Sequence, residues 1–310
     1  MQDLVNNNLQ ILDFQNLSTW ELIFMANKER ESWIGLRFEL CSIMNAKSGF
    51  CNEDCKFCAQ SSRYKTQALI YPLKSSEEIL KEAEIAENIG AERFGIVTSG
   101  RSLSKKEIET LAEAIQQIKK QVKIRVCASL GILDKDSLII LKEAGLSRYH
   151  HNIETSPEFF PYVTSTHRFG ERIETIKTAK EVGLEVCSGG IIGMGEKEDD
   201  RIRMALILKE LDVDSIPINI LVPIAGTPFE ERTTLSVLDI LRTIAIFRLI
   251  LKNRTIKIAA GRESALKNFQ GLAFLAGANG MLIGGYLTIK GRGVEEDHRM
   301  VEEIKRLWNG

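Results

Sequence analysis

The sequence predicts an α/β fold, a (β/α)8 TIM-type barrel with flanking N- and C-terminal helices. Three observations carry that prediction. About eight short apolar segments recur along the chain, helical patterns separate them, and glycines repeatedly close a helix just before the next segment. Strand–helix alternation implies a parallel sheet, and eight repeats suggest closure. A doubly wound open sheet is the alternative that periodicity leaves open.

The elements follow in order. Residues 1–36 read as helices flanking the barrel. Strands are expected near 37–44, 93–98, 122–128, 148–153, 184–189, 214–221, 255–260 and 280–284. Between the second and third, Ser104-Lys105-Lys106-Glu107 forms a capping box, and Ile108, Leu111, Ala112, Ile115 and Ile118 follow at helical spacing. Gly90, Gly145, Gly183 and Gly277 sit where a helix end needs the left-handed conformation. Residues 294–308 read as a closing helix. No composition break or Pro/Ser-rich linker divides the chain. One domain over 1–310 is expected: a flank at 1–36, a barrel over 37–290, and a C-terminal helix in 291–310.

Strand parity says more. In a barrel, alternate residues face the outer helices and the interior. Phe38 and Leu40 should face out, and Glu39 and Cys41 in. Val122, Ile124 and Val126 should face out, and Lys123, Arg125 and Cys127 in. Leu184 and Val186 should face out, and Glu185 and Cys187 in. Three strands thus offer one inward cysteine each, within an unusually charged interior.

Composition narrows the function. Formal net charge is -1, from 41 basic and 42 acidic side chains, which gives no electrostatic case for nucleic acid or an anionic membrane. No apolar run approaches the ~18 residues that span a bilayer. The start, Met1-Gln2-Asp3, lacks the basic and apolar parts of a signal peptide, so the cytoplasm is the expected compartment. In that setting the six cysteines are not expected to form a disulfide framework.

Cys51-Asn-Glu-Asp-Cys55-Lys-Phe-Cys58 is the strongest chemical signal. Three thiolates within eight residues can wrap one metal centre from the loop after the first strand, at the barrel end where active sites gather. Three cysteines on a four-iron cube leave one iron open to a substrate. Structural zinc, the alternative, usually takes four ligands at other spacings.

The C-x3-C-x2-C motif resembles the radical S-adenosylmethionine superfamily. The longer string from Lys47-Ser-Gly-Phe-Cys51 through Ala59-Gln-Ser-Ser-Arg63-Tyr64 resembles the biotin synthase family in particular. So do Tyr149-His-His-Asn152-Ile-Glu154, Cys187-Ser-Gly-Gly-Ile-Ile-Gly-Met-Gly-Glu196, Pro217-Ile-Asn219, Ala260-Gly-Arg262-Glu and Ala276-Gly-Ala-Asn279. The resemblance covers about residues 30–305. It implies that Cys51, Cys55 and Cys58 hold a [4Fe-4S] cluster, whose open iron binds S-adenosylmethionine. Reductive cleavage then gives a 5′-deoxyadenosyl radical, which takes hydrogen from dethiobiotin. Sulfur comes from an auxiliary cluster, and an electron donor such as flavodoxin or ferredoxin drives the cycle. A homodimer is expected.

The resemblance also assigns roles. Asn152, Glu154, Arg172 and the loop Gly189, Gly190 and Ile191 match S-adenosylmethionine-binding positions, although such glycines also serve ordinary turns. Lys47 and Asn219 match dethiobiotin contacts, the alternative being capping or solvated residues. Cys127, Cys187 and Arg262 match three of four auxiliary ligands. The fourth position is Gly95, which cannot ligate, and Cys41 on the neighbouring strand is inferred to substitute. The auxiliary cluster is then [2Fe-2S] or a larger assembly. His150 and His151 point opposite ways and receive no catalytic role. Glu295-Glu296-Asp297 reads as a solvated helix start. The rival readings are a hydrogenase-maturation or methylornithine synthase type of radical enzyme, and a non-catalytic iron–sulfur carrier or sulfur donor.

Overall fold

A computed structural model describes residues 14–285 and 292–310. The expectations for 1–13, and the barrel boundary at 290/291, lie outside the described residues. The strands are β1 (Glu39–Lys47), β2 (Arg93–Thr98), β3 (Arg125–Ser129), β4 (Arg148–His150), β5 (Glu185–Cys187), β6 (Gly190–Ile192), β7 (Ser215–Ile220), β8 (Thr255–Ile258) and β9 (Gly280–Leu282). They are parallel and run in the order β5-β4-β3-β2-β1-β9-β8-β7-β6. A further Cys187↔Ser215 pairing joins β5 to β7 and closes the ring. β5 and β6 share one barrel position, so nine segments make an eight-position barrel.

The fifth strand is broken because two glycines there have no room for a side chain. A Cβ on Gly189 would lie 2.0 Å from the Pro217 carbonyl oxygen, and one on Gly190 2.2 Å from that of Glu154. Neighbouring backbones press into the strand at this point. β3 starts later than expected. Val122 is the extended C-cap of helix Lys105–Gln121, which leaves Lys123 exposed ahead of the strand rather than inside the barrel. Arg125 does reach toward the barrel interior, 3.9 Å from Glu39, but its side chain is half exposed.

The predicted caps are present. Ser104 and Glu107 form a reciprocal capping box, and Gly90, Gly145, Gly183 and Gly277 all have positive φ. The core lies between the outer face of the sheet and the helices. Phe94, Ile96, Val126, Tyr149, Val186, Ile216 and Ile256 are buried against residues such as Leu111, Ile115 and Ile244. The helix Thr19–Ile34 flanks the barrel at one end of the chain and Val294–Asn309 at the other. In the acidic run, Glu295 and Glu296 are exposed in the first turn of that helix as expected, whereas Asp297 is wholly buried. No helix among the described residues is long and apolar enough to cross a membrane.

Candidate active site

Inward parity fixes what the barrel interior holds. Cys41, Arg93, Gly95, Cys127, Arg148, Cys187 and Lys257 line a cavity of about 450 Å³. Toward its mouth the wall adds His150, Asn152, Glu154, Ile191 and Asn219, with Phe57 and Cys58 from the loop after β1. All six cysteines are free thiols.

The floor is a charge network, buried at Arg93, Arg148 and Lys257 and open to solvent at Glu185. Glu39 accepts from Arg93 Nε at 2.9 Å, Arg148 at 2.9 Å and Lys257 Nζ at 3.1 Å. Glu185 accepts from Arg93 at 2.7 Å and from Arg148 Nε at 2.8 Å. Burial alone would favour neutral Glu39, but Lys257, Arg148 and Arg93 hold its carboxyl well below the usual range. Three cations thus face two carboxylates, and the thiols share the remaining field. Lys257 Nζ donates to Cys41 Sγ at 3.3 Å, and Arg93 lies 3.8 Å from Cys127 Sγ. Burial pushes the Cys41 thiol up to about 12. For Cys187 burial acts the same way, yet Lys257, His150 and Arg148 outweigh it and bring the thiol down to about 6. A pocket that pairs soft thiols with surplus positive charge suits an anionic thiolate–metal assembly.

Gly95 pairs with Cys127 in the ladder and faces the same cavity. A Cβ there would stand 3.0 Å from Ile43 Cγ2, and Cys41 supplies the thiol from the adjacent strand. Arg262 lies off the cavity wall, its guanidinium bonded to Asp297 at 2.5 Å, to Gln270 and to the Leu282 carbonyl, so a ligand role requires it to leave Asp297. The chain turns at Gly261, with φ +85°, so Arg262 leaves the strand's parity. Lys257 is the basic residue that β8 delivers to the thiols.

The cluster loop is braced from outside the cavity. Asp54 accepts from Thr164 Oγ1 at 2.7 Å and from the Ser165 amide at 2.8 Å. Glu53 takes Thr166 Oγ1 at 2.6 Å and pairs with His167 Nδ1. Cys51 and Cys55 are buried and Cys58 is partly so. Burial pushes Cys55 up to about 12 and Cys58 up to about 11. Among the described residues no three ligating side chains are drawn in closely enough for a single ion. A four-iron cube is gripped at its corners, and three free thiols on one short loop fit that larger group.

Asn152 and Glu154 share the wall as parity predicted, with Glu154 at φ +69°. Burial raises the Glu154 carboxyl above its usual range, against the pull of Arg172. Arg172 itself is off the cavity wall, on helix Phe169–Glu181. It donates to the Asn152 carbonyl at 2.8 Å, sits 3.4 Å from Glu154, and donates from Nε to His167 Nε2 at 3.1 Å. Ile191 lines the cavity, whereas Gly189 and Gly190 stand behind it, where backbone crowding accounts for them. Asn219 lines the wall, but its amide already donates to the Gly190 carbonyl and accepts from the Ala260 amide, each at 3.2 Å. Lys47 closes β1 and pairs with Glu107 at 2.7 Å, off the cavity wall. Sequence reasoning missed Arg93, Arg148, Lys257 and His150. The same parity rule, carried through β2, β4 and β8, finds them.

A family model described as the radical SAM superfamily matches residues 46–208, and one described as the biotin and thiamin synthesis associated domain matches 217–305. The biotin synthase of Thermotoga petrophila is 54% identical to this chain, covering 96% of it and 99% of the relative. That of Thermotoga neapolitana is 56% identical, covering 87% and 97%. That of Pelotomaculum thermopropionicum is 51% identical, covering 92% and 89%. Among solved structures, methylornithine synthase has a TM-score of 0.78 at 22% identity, over 92% of this chain and 88% of its own. The FeFe-hydrogenase maturase of Carboxydothermus hydrogenoformans has a TM-score of 0.79 at 19% identity, over 94% and 72%. At those identities the likeness speaks for the barrel fold alone.

Proposed function

The chain belongs to the biotin synthase family within the radical S-adenosylmethionine superfamily, and on that premise we propose that it inserts sulfur into dethiobiotin to form biotin. One observation carries the reading. A single cavity has Cys58 of the loop motif at its mouth and the thiols of Cys41, Cys127 and Cys187 lower down, with polar side chains on the wall between. When bound, a loop-held [4Fe-4S] cluster with S-adenosylmethionine supplies radical hydrogen abstraction, and an auxiliary cluster supplies sulfur.

The protein's own residues do the rest. Cys51, Cys55 and Cys58 hold the loop group. The Asp54 and Glu53 bonds to 164–167 keep that loop rigid. Asn152, Glu154 and Ile191 form the face toward S-adenosylmethionine, and Arg172 fixes Glu154 from behind. Gly189 and Gly190 let the backbone of that face pass close to its neighbours. Asn219 and Lys47 take dethiobiotin, the first toward its ureido group and the second, freed from Glu107, toward its carboxylate. Cys41, Cys127 and Cys187 hold the auxiliary group, [2Fe-2S] or larger, with Lys257 beside it. Such positioning in a walled site keeps reactive atoms in line and water out.

Regions 46–208 and 217–305 both contribute strands to one sheet, which supports reading 1–310 as a single domain. We take the enzyme to work in the cytoplasm as a homodimer, with flavodoxin or ferredoxin as electron donor. The test is anaerobic reconstitution with iron and sulfide, then incubation with S-adenosylmethionine, dethiobiotin and a reductant. Formation of 5′-deoxyadenosine and biotin is expected. Bound iron with no cleavage of S-adenosylmethionine would instead identify an iron–sulfur carrier.

A further inference from the structure

The cluster loop presents an unusual outer surface. The Ser48 amide donates to the Tyr71 carbonyl at 3.1 Å, and the Tyr71 amide returns the bond at 3.0 Å. This isolated antiparallel bridge brings Gly49 against Ile70, with Phe50 and Leu69 next to them in the chain. Gly49 is required there, since a Cβ would meet Ile70 Cγ1 at 2.8 Å. The result is an apolar group in solvent beside the first loop thiol. Phe50 is 65% exposed, Leu69 77% and Ile70 62%. Contiguous apolar exposure of this kind marks an interaction surface.

Charge is sorted across the same segment. Its acids, Glu53 and Asp54, turn inward onto Thr164, Ser165, Thr166 and His167. Its exposed charges are basic. Arg63 lies over the loop, with Nε donating to the Asn52 carbonyl at 2.7 Å, and Lys65 is exposed. An apolar group with exposed bases in the same segment attracts a negatively charged protein, steering its approach and fixing its orientation. Phe50 precedes Cys51 in the chain, so a partner seated here stands one residue from a loop ligand. Electron transfer weakens steeply with distance, and a carrier on this face is close to one loop thiol.

We propose that Phe50, Leu69 and Ile70, together with the exposed bases Arg63 and Lys65 of the same segment, form the docking surface for a small acidic one-electron carrier protein. The inference rests on the proposed function, in which each cleavage of S-adenosylmethionine takes in one electron and the carrier is oxidised by one electron. Redox encounters use small, salt-sensitive interfaces.

The test uses anaerobically reconstituted holoenzyme and a purified acidic ferredoxin. The double variant Lys65→Glu/Leu69→Ser changes only side chains that point to solvent, away from the cavity. Two readouts are taken: ferredoxin affinity by anaerobic calorimetry at low and high salt, and 5′-deoxyadenosine formation driven by reduced ferredoxin or by dithionite. The expected result is ferredoxin binding weakened about tenfold, with a shallower salt dependence. The ferredoxin-driven rate should fall in parallel, while the dithionite-driven rate stays within about twofold of the parent, because a small reductant needs no docking. Unchanged ferredoxin affinity and rate would overturn the proposal. So would a shift of the double variant to a smaller species in sedimentation with ferredoxin affinity intact, which assigns the patch to a second copy of this chain. Absence of dithionite-driven cleavage in the parent enzyme would instead remove the underlying function, and the calorimetric arm would still decide whether the surface binds ferredoxin.

Discussion

The Lys257 ammonium donates to the Cys41 thiol across 3.3 Å, joining β8 to β1 inside the barrel. Cys41 therefore stands in the same electrostatic environment as Cys127 and Cys187 rather than in an apolar core. Replacing Cys41 with Ala, and separately with Ser, should remove auxiliary iron and sulfide and stop biotin formation. Some reductive cleavage of S-adenosylmethionine should persist. Mössbauer spectra of the reconstituted variants check this, and a full auxiliary cluster with normal biotin yield in both would return Cys41 to a packing role.

Lys257→Met keeps most of the side chain's volume and deletes its charge. Glu39 then loses one of the three cations that hydrogen-bond it, and Cys41 loses its donor. Auxiliary iron per chain should fall while the loop site still cleaves S-adenosylmethionine. Iron and sulfide analysis beside a cleavage assay separates the two sites, and unaltered auxiliary iron would show that Lys257 serves only the charge network.

Arg262→Met should behave differently. Its guanidinium neutralises the buried Asp297 at 2.5 Å and ties β9 to the C-terminal helix. Stranding a buried carboxylate costs about 3–5 kcal/mol. The urea midpoint should drop accordingly, while auxiliary iron in the folded protein remains. Loss of that iron without loss of stability would restore Arg262 to the ligand set.

Asn219→Ala should weaken dethiobiotin binding roughly tenfold or more, since a polar partner left unpaired in a buried site costs about 1–3 kcal/mol. Anaerobic binding in the presence of S-adenosylmethionine is the measurement. An unchanged affinity would confine Asn219 to its bracing bonds with Gly190 and Ala260.

Each loop cysteine changed to alanine should abolish reductive formation of 5′-deoxyadenosine. Product analysis by chromatography decides it, and normal cleavage in any one variant would strike that cysteine from the set.

Much of this was legible from residue order. Period-two parity on the first, third and fifth strands put Glu39, Cys41, Cys127, Glu185 and Cys187 in the interior, because a strand in a closed barrel has only two faces. It failed for Lys123, where the strand starts later than the alternation does. Parity is silent on Arg262, which follows a left-handed glycine, whereas Lys257 lies in phase with the cavity. Gly189 and Gly190 carried a different ambiguity. A glycine demanded by a passing backbone and one demanded by a ligand look identical in sequence, and only the contacts with Pro217 and Glu154 separate them. The burial of Asp297 was invisible because its partner lies far away in the chain.

The two sets of thiols differ in how far apart the chain holds them. Cys51, Cys55 and Cys58 meet within one loop, and closing so short a segment costs little entropy. Cys41, Cys127 and Cys187 meet only after β1, β3 and β5 have taken their places around the ring. Such non-local contacts form late in folding. The loop thiols can therefore gather on a chain still being completed, whereas the barrel thiols form a site only in the finished fold.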